Sequence, residues 1–329
     1  MEKFIKDYFN QIKIGDDEKV DSFQVFPLFS DIEYEVEYLM MKEALEQELL
    51  IIEEVSSSGD VNKLTATNKS DLPILLLGGE ELEGAKQNRI LNVSILLPPN
   101  EKTVIPVNCV EAGRWSYRSK DFKSSENVAY KRMREKSFEE QYEKRSYKID
   151  QSMTWEQVDE LEASFSIESP TSAMKDVYDA KSKEISDYMN KISLHDGQIG
   201  ILAVSKGKIL GFDIIGQAKG FENVFKKLLK SYIMEDMLSD EKKKEYLKED
   251  EIRKFFDKVV EASERRIDGV GLGYDYKYNS DYVVGSVLSY KNEIIHSVFL
   301  SKSENGKSKN YDDEFFASIR ERRRNLSFD

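Results

Sequence analysis

The chain has 329 residues, with 49 Lys+Arg against 62 Asp+Glu, two His, two Trp and one Cys. A net charge of −13 argues against a protein that coats nucleic acid, and one Cys excludes an intrachain disulfide scaffold or a Cys-clustered zinc site. A 40% hydrophobic fraction with 17 Tyr and 17 Phe is enough for a core, and no apolar run approaches the roughly 18–20 residues of a membrane span.

The N-terminus, Met1-Glu2-Lys3-Phe4, lacks the apolar stretch of a signal peptide, so a cytoplasmic protein is expected. Phe23–Phe29 alternates apolar and polar residues and predicts a short strand. From Glu35 to Leu50 a stripe through Val36, Leu39, Met40 and Ala44 predicts a helix. A strand from Ile51 to Val55 follows and ends at Ser56-Ser57-Ser58-Gly59. Leu72–Leu77, Ile90–Leu97 and Thr103–Val110 read as three more strands, and their closeness in sequence predicts a β-meander. Between Arg114 and Lys148, 11 Lys/Arg stand against 6 Asp/Glu, and 126–145 predicts a charged, solvated helix. Thr154 with Gln157 resembles a capping box and sets a helix start near Trp155; Ser169-Pro170 starts another that reaches Ile192.

Strands return at Ile199–Val204 and Ile209–Ile215 around the hairpin loop Ser205-Lys206-Gly207-Lys208. Two apolar stripes, Phe221 to Tyr232 and Ile252 to Val260, predict helices on either side of a charged connector, Glu241–Asp250. Strands are expected at 268–276, 281–290 and 292–300, the last two split at Lys291-Asn292. Beyond Ser301 the chain is polar, and the Arg320–Arg324 cluster is expected in a poorly ordered tail. This order predicts an α+β fold: an antiparallel β-sheet core from N- and C-terminal strands, packed helices, and a charged helical insertion in the middle. The expected organisation is one large domain over 1–300, β-rich at 20–118, helical at 119–196 and α+β at 197–300, followed by a basic tail at 301–329.

The richest chemistry lies in Gly78–Arg89, where Glu80, Glu81, Glu83, Lys86, Gln87, Asn88 and Arg89 stand among three glycines. Glycine lets backbone approach a ligand, and Lys and Arg hold phosphate or carboxylate. The segment matches neither a Walker A loop nor GxGxxG, and a charged hairpin loop is the competing reading. Further on, Cys109 and Glu111 share one strand face. A thiol and a carboxylate there could act as nucleophile and acid/base, although no His is nearby to activate Cys109, and a small buried thiol is the simpler reading. Glu111, on an otherwise apolar strand, needs a partner, which Arg89 or Arg114 could supply. Arg114-Trp115 joins a charge to a flat aromatic face suited to a nucleotide, with a core anchor as the alternative. His296 and Asp213 are secondary candidates inside strands, and His195 reads as a surface residue. The glycines of Gly269–Tyr274 are too loosely spaced to indicate a phosphate loop.

Leu75–Leu77, Gly79–Leu82, Gly84–Arg89 and Cys109-Val110-Glu111-Ala112-Gly113-Arg114-Trp115 together resemble the ARG and rhodanese-phosphatase-superfamily-associated protein domain family, where ARG denotes ADP-ribosylglycohydrolase. Gly207–Asp213, the Leu228–Tyr232 helix, Gly271–Gly273 and the strand with His296 follow in the same order, so the likeness covers about 20–300. It implies a setting among enzymes of NAD and ADP-ribose metabolism and a shared polar site from Glu81, Gln87, Asn88, Arg89, Glu111 and Arg114, lined by Cys109 and Trp115. The leading expectation is a hydrolase of an ADP-ribose-like or other phosphorylated nucleotide, with a non-catalytic nucleotide sensor and a structural ion-pair protein as alternatives. Glu111, Glu81 or Cys109 would do chemistry, while Lys86, Gln87, Asn88, Arg89, Arg114 and Trp115 would bind. No resident metal or cofactor is expected; the carboxylates suit Mg²⁺ or Mn²⁺, but no spacing demands either. The partner is a small nucleotide-like molecule rather than a membrane or nucleic acid, and homo-oligomers stay open.

Overall fold

The computed structural model describes residues 1–239, 243–303 and 313–326. The chain opens with α1 (Lys3–Asn10), β1 (Lys13–Ile14), β2 (Glu18–Val20) and β3 (Phe23–Phe29), then β4 (Leu39–Met40), α2 (Met41–Glu46), β5 (Leu50–Glu54) and β6 (Lys63–Asn68). Six strands follow: β7 (Ile74–Leu76), β8 (Glu80–Gly84), β9 (Arg89–Leu91), β10 (Ile95–Leu97), β11 (Lys102–Cys109) and β12 (Phe122–Val128). The middle is helical, with α3 (Lys131–Lys144), α4 (Gln151–Phe165), α5 (Met174–Ala180) and α6 (Ser182–Met189). The rest comprises β13 (Gly200–Ser205), β14 (Lys208–Ile215), α7 (Ala218–Met237), α8 (Glu249–Glu261), β15 (Ser263–Asp268), β16 (Tyr274–Asn279), β17 (Val283–Tyr290), β18 (Glu293–Ser301) and α9 (Asp313–Leu326).

The largest sheet is antiparallel in the order β1-β3-β13-β14-β18-β17-β16-β15, with β2 beside β3, so strands from both ends of the chain share it. Successive side chains point to opposite faces, and both faces are covered. Val25, Ile201, Ala203, Ile215 and Val298 join a core with α3, α4 and α7. Phe26, Leu202, Val204, Phe212 and Phe299 join a second core with α1 and α8. Burial on both sides explains why these strands read as nearly continuous apolar runs. The turns match their residues: Lys206 and Gly207 join β13 to β14, and Lys291 and Asn292 join β17 to β18, each with positive φ as a two-residue hairpin requires.

A six-stranded sheet, β12-β8-β9-β11-β6-β5, and a three-stranded sheet, β10-β7-β4, make up the other β-region, over a third core with α2. Here the expected meander fails. Ile90–Leu97 splits at Asn92–Ser94, sending β9 between β8 and β11 and β10 to β7. Residues 80–84, which the competing reading of Gly78–Arg89 would place in a charged hairpin loop, form β8. Residues 126–128, expected to open the helix over 126–145, instead end β12, which pairs with β8.

The helical stretch also differs in its boundaries. The expected helix over 35–50 is only the short α2, after β4. The N-cap of α4 is Asp150, whose side chain accepts from Ser152 N, so Thr154 sits one turn inside, where its Oγ1 accepts from Asn108 Nδ2 at 2.8 Å. The helix expected from Ser169 to Ile192 is two, α5 and α6, broken at Lys181 without Gly or Pro. Four strands, not three, close the large sheet, with β15 beginning at Ser263. The Arg320–Arg324 cluster, expected in a loose tail, lies on α9 against α4; 304–312 and 327–329 of that tail, 241–242 of the charged connector and residue 240 before it fall outside the described residues.

Candidate functional site

The β8–β9 hairpin turns through Gly84 (φ 129°) and Ala85 (φ 38°). A Cβ on Gly84 would lie 2.5 Å from Ser119 Oγ, so only glycine lets residues 119–121 press on the turn. After β11, residues 111–114 return beneath the same turn, and Glu111 meets Arg114. Arg114 Nε donates to Glu111 Oε1 at 2.9 Å and Nη2 to Oε2 at 2.6 Å. The guanidinium also donates to the Ala85, Ser116 and Gly84 carbonyls and to Asn88 Oδ1. Glu111 further accepts from Asn88 N at 3.1 Å and from Thr171 Oγ1 at 3.1 Å. Burial would raise the Glu111 pKa, yet the Arg114 hydrogen bonds and charge hold it below the usual carboxylate range. Of the two expected partners for Glu111, Arg114 is the one realised.

Around this pair the other sequence candidates gather, nearly all sealed from water. Asn88 Nδ2 donates to Glu81 Oε1 at 3.4 Å, while Ser125 Oγ and Asn127 Nδ2 donate to Glu81 Oε2 at 2.8 and 3.0 Å. Burial outweighs these bonds and pushes the Glu81 carboxyl up to about 7. Gln87 Oε1 accepts from Cys109 Sγ at 2.9 Å and from Arg89 Nη1 at 3.1 Å. Burial raises the Cys109 thiol, which keeps it protonated. Thus the structure unites Glu81, Gln87, Asn88, Arg89, Cys109, Glu111 and Arg114, but as a mutually hydrogen-bonded interior.

The exposed part of the region lies outside that interior. Trp115 and Tyr117 are 46% and 53% exposed, and the Lys86 ammonium sits 5.1 and 5.3 Å from their ring centres. Lys86 Nζ donates to Ser58 O at 2.7 Å. The Arg89 guanidinium lies 5.5 Å from the Trp115 ring, and its Nε and Nη2 have no hydrogen-bond partner. Glu54, at the end of β5, has its carboxylate 3.7 Å from Arg89 Nη2, and neither of its oxygens accepts a hydrogen bond. A groove of about 590 Å³ runs above, lined by Glu53, Glu54, Ser56, Tyr117, Arg118 and Lys120 among others. Sequence reasoning missed Glu54, Tyr117 and Arg118. The signal available for Glu54 was a carboxylate ending a strand just before Ser56-Ser57-Ser58-Gly59.

Asp213 and His296 belong to a second buried cluster. The Arg134 guanidinium grips both Asp213 oxygens, and Tyr232 Oη donates to Oδ2 at 2.6 Å. Burial would raise the Asp213 carboxyl, but Arg134 and His296 hold it well below the usual range. His195 is a surface residue 3.7 Å from Glu18. The glycines at 271 and 273 serve packing: Cβ atoms there would meet Leu96 O at 2.2 Å and Ser289 O at 2.0 Å. Among the described residues, no group of three or more His, Cys, Asp or Glu side chains could hold a metal, and no helix is long and apolar enough to cross a membrane.

Fold and site together define an α+β protein in which a sealed polar network underlies a groove edged by aromatic and cationic side chains. Residues 11–300 match the ARG and Rhodanese-Phosphatase-superfamily-associated Protein domain, and the chain belongs to that family, whose description associates it with ARG and with the rhodanese-phosphatase superfamily. No curated protein and no solved structure matches it.

Proposed function

We propose that the groove beside Trp115 binds a phosphorylated nucleotide or ADP-ribose-like small molecule in the cytoplasm. The observation that carries this reading is the unsatisfied Arg89–Glu54 pair beneath exposed Trp115 and Tyr117. A buried polar group left without a hydrogen bond costs about 1–3 kcal/mol, and a ligand entering from the groove would supply the missing partners. Trp115 and Tyr117 offer faces for a base, and the groove-lining Lys102, Arg118 and Lys120 offer charge for phosphate.

Hydrolysis needs a carboxylate that can reach the ligand. Glu111 is committed to Arg114 and Glu81 to Ser125 and Asn127, which favours Glu54 as the acid/base. The same commitment favours the alternative of a sensor, because it makes the motif residues scaffold rather than machinery.

Titration of the purified chain with ADP-ribose, AMP and NAD, followed by Trp fluorescence and by chromatography of the ligand, tests both readings. Trp115→Ala should weaken binding ten- to a hundredfold, as expected for about 1–3 kcal/mol of stacking. Glu54→Gln should bind yet stop turnover; binding without product from the wild type supports the sensor. If none of the three ligands binds more tightly than about 1 mM, the reading fails.

A further inference from the structure

Ser94 lies in the break between β9 and β10 and is half-buried, whereas His296 and Asp213 behind it are buried. Three contacts run in a line. Gly78 N donates to Ser94 Oγ at 2.9 Å, Ser94 Oγ lies 2.8 Å from His296 Nδ1, and His296 Nε2 lies 3.4 Å from Asp213 Oδ1. Gly78 belongs to the Gly78-Gly79 pair, which the groove does not use. A Cβ at Gly78 would lie 3.1 Å from Ser94 N and from Val93 C, so the missing side chain is what lets the two segments approach.

The neighbours select the tautomer of His296. An Nε2 lone pair aimed at the Asp213 carboxylate would be repelled, so Nε2 carries the proton and Nδ1 is the acceptor. Ser94 Oγ must then donate to Nδ1, while one of its own lone pairs receives the Gly78 N–H. Arg134 and Tyr232 clamp Asp213 from α3 and α7 and fix the acid that orients the imidazole. This is the logic of a nucleophile, a base and an orienting carboxylate, with the two ring nitrogens exchanged relative to the usual serine-hydrolase arrangement.

We propose that Ser94 is a nucleophile toward small uncharged acyl esters, with His296 as its base and Asp213 as the positioning residue. An uncharged acyl carbon is favoured over phosphate because the cation in this cluster, Arg134, is already committed to Asp213. Ser94 Oγ bonds to the carbonyl carbon as its proton moves to His296 Nδ1. The bond to the leaving alcohol breaks and the alcohol takes that proton. Water then attacks the acyl-serine, His296 accepts a proton from it and returns one to Ser94, and the carboxylic acid leaves.

The full-length protein is treated with phenylmethanesulfonyl fluoride and mapped by peptide mass spectrometry, and p-nitrophenyl acetate hydrolysis is followed in parallel. One adduct at Ser94 is expected, absent in Ser94→Ala, with ester hydrolysis lost in that variant. His296→Gln, checked for folding by circular dichroism, should slow labelling of Ser94 at least about a hundredfold, the scale of general-base assistance. No adduct at Ser94 in the wild type, labelling scattered over surface serines, or hydrolysis undiminished in folded Ser94→Ala would each overturn the proposal. If a variant fails to fold, the wild-type adduct map decides alone.

Discussion

Glu111 and Arg114 stand three residues apart, and their side chains are 1% and 6% exposed. The sequence showed a carboxylate needing a cation, because the surrounding strand is apolar. It left Arg89 and Arg114 as equal choices, because only the path of the loop decides which guanidinium arrives. Arg114→Ala would strip the buried Glu111 carboxylate of its two-bond partner, leaving only Arg118 as a cation at 3.5 Å, and would strand four further acceptors; it should lower unfolding free energy by about 3–5 kcal/mol in chemical denaturation. A loss under 1 kcal/mol would show that the pair is not the clasp described here. Cys109 provides a second check. Its thiol is sealed, hydrogen-bonded to Gln87 and raised by burial. Ellman's reagent should therefore leave the native protein unmodified over hours and react fully once denaturant is added; rapid reaction of the folded chain would contradict that burial.

Helix α9 and its partner α4 show what element-level patterning misses. The run Arg320-Glu321-Arg322-Arg323-Arg324 looks like a solvated tail when taken by itself. Its counterpart lies about 160 residues earlier: Arg323 sits 3.1 Å from Asp159, and Arg322 Nη2 donates to Glu162 Oε2 at 3.1 Å. Burial pushes the two carboxyls up to about 6 and about 8 respectively, against the opposing arginine charges. A folded pKa above the unfolded one contributes stability that is complete below the unfolded value and lost as pH rises through the folded value. Replacing Arg322 and Arg323 together by Met keeps the helix but removes the cations. The stability loss should be about 1–3 kcal/mol at pH 8 and less than half that at pH 5, where both carboxyls take up protons. Equal losses at the two pH values would mean that the charges do not hold α9.

At the scale of the whole molecule, five buried carboxylates form two opposed sets. Glu81, Asp159 and Glu162 are raised by burial, and Glu111 and Asp213 are lowered by Arg114 and Arg134. The first set loses stabilisation as pH rises through about 6 to 8; the second loses it as pH falls below the ordinary carboxylate range. Melting temperature should therefore peak near about pH 5, and Glu81→Gln should flatten the decline above it. A melting temperature climbing steadily to pH 8 would refute this balance. The sequence by itself determined the α+β class, the Ser205–Lys208 hairpin and the apolar stripes of α7 and α8, because periodicity and turn chemistry are local. Tertiary structure decided which sheet each strand joins, and it turned the charged 80–89 segment into a buried strand and hairpin. The physical reason is that a buried charge is tolerated only beside its partner, and these partners lie far along the chain: Lys227 for Glu80, Ser125 and Asn127 for Glu81, Arg134 for Asp213.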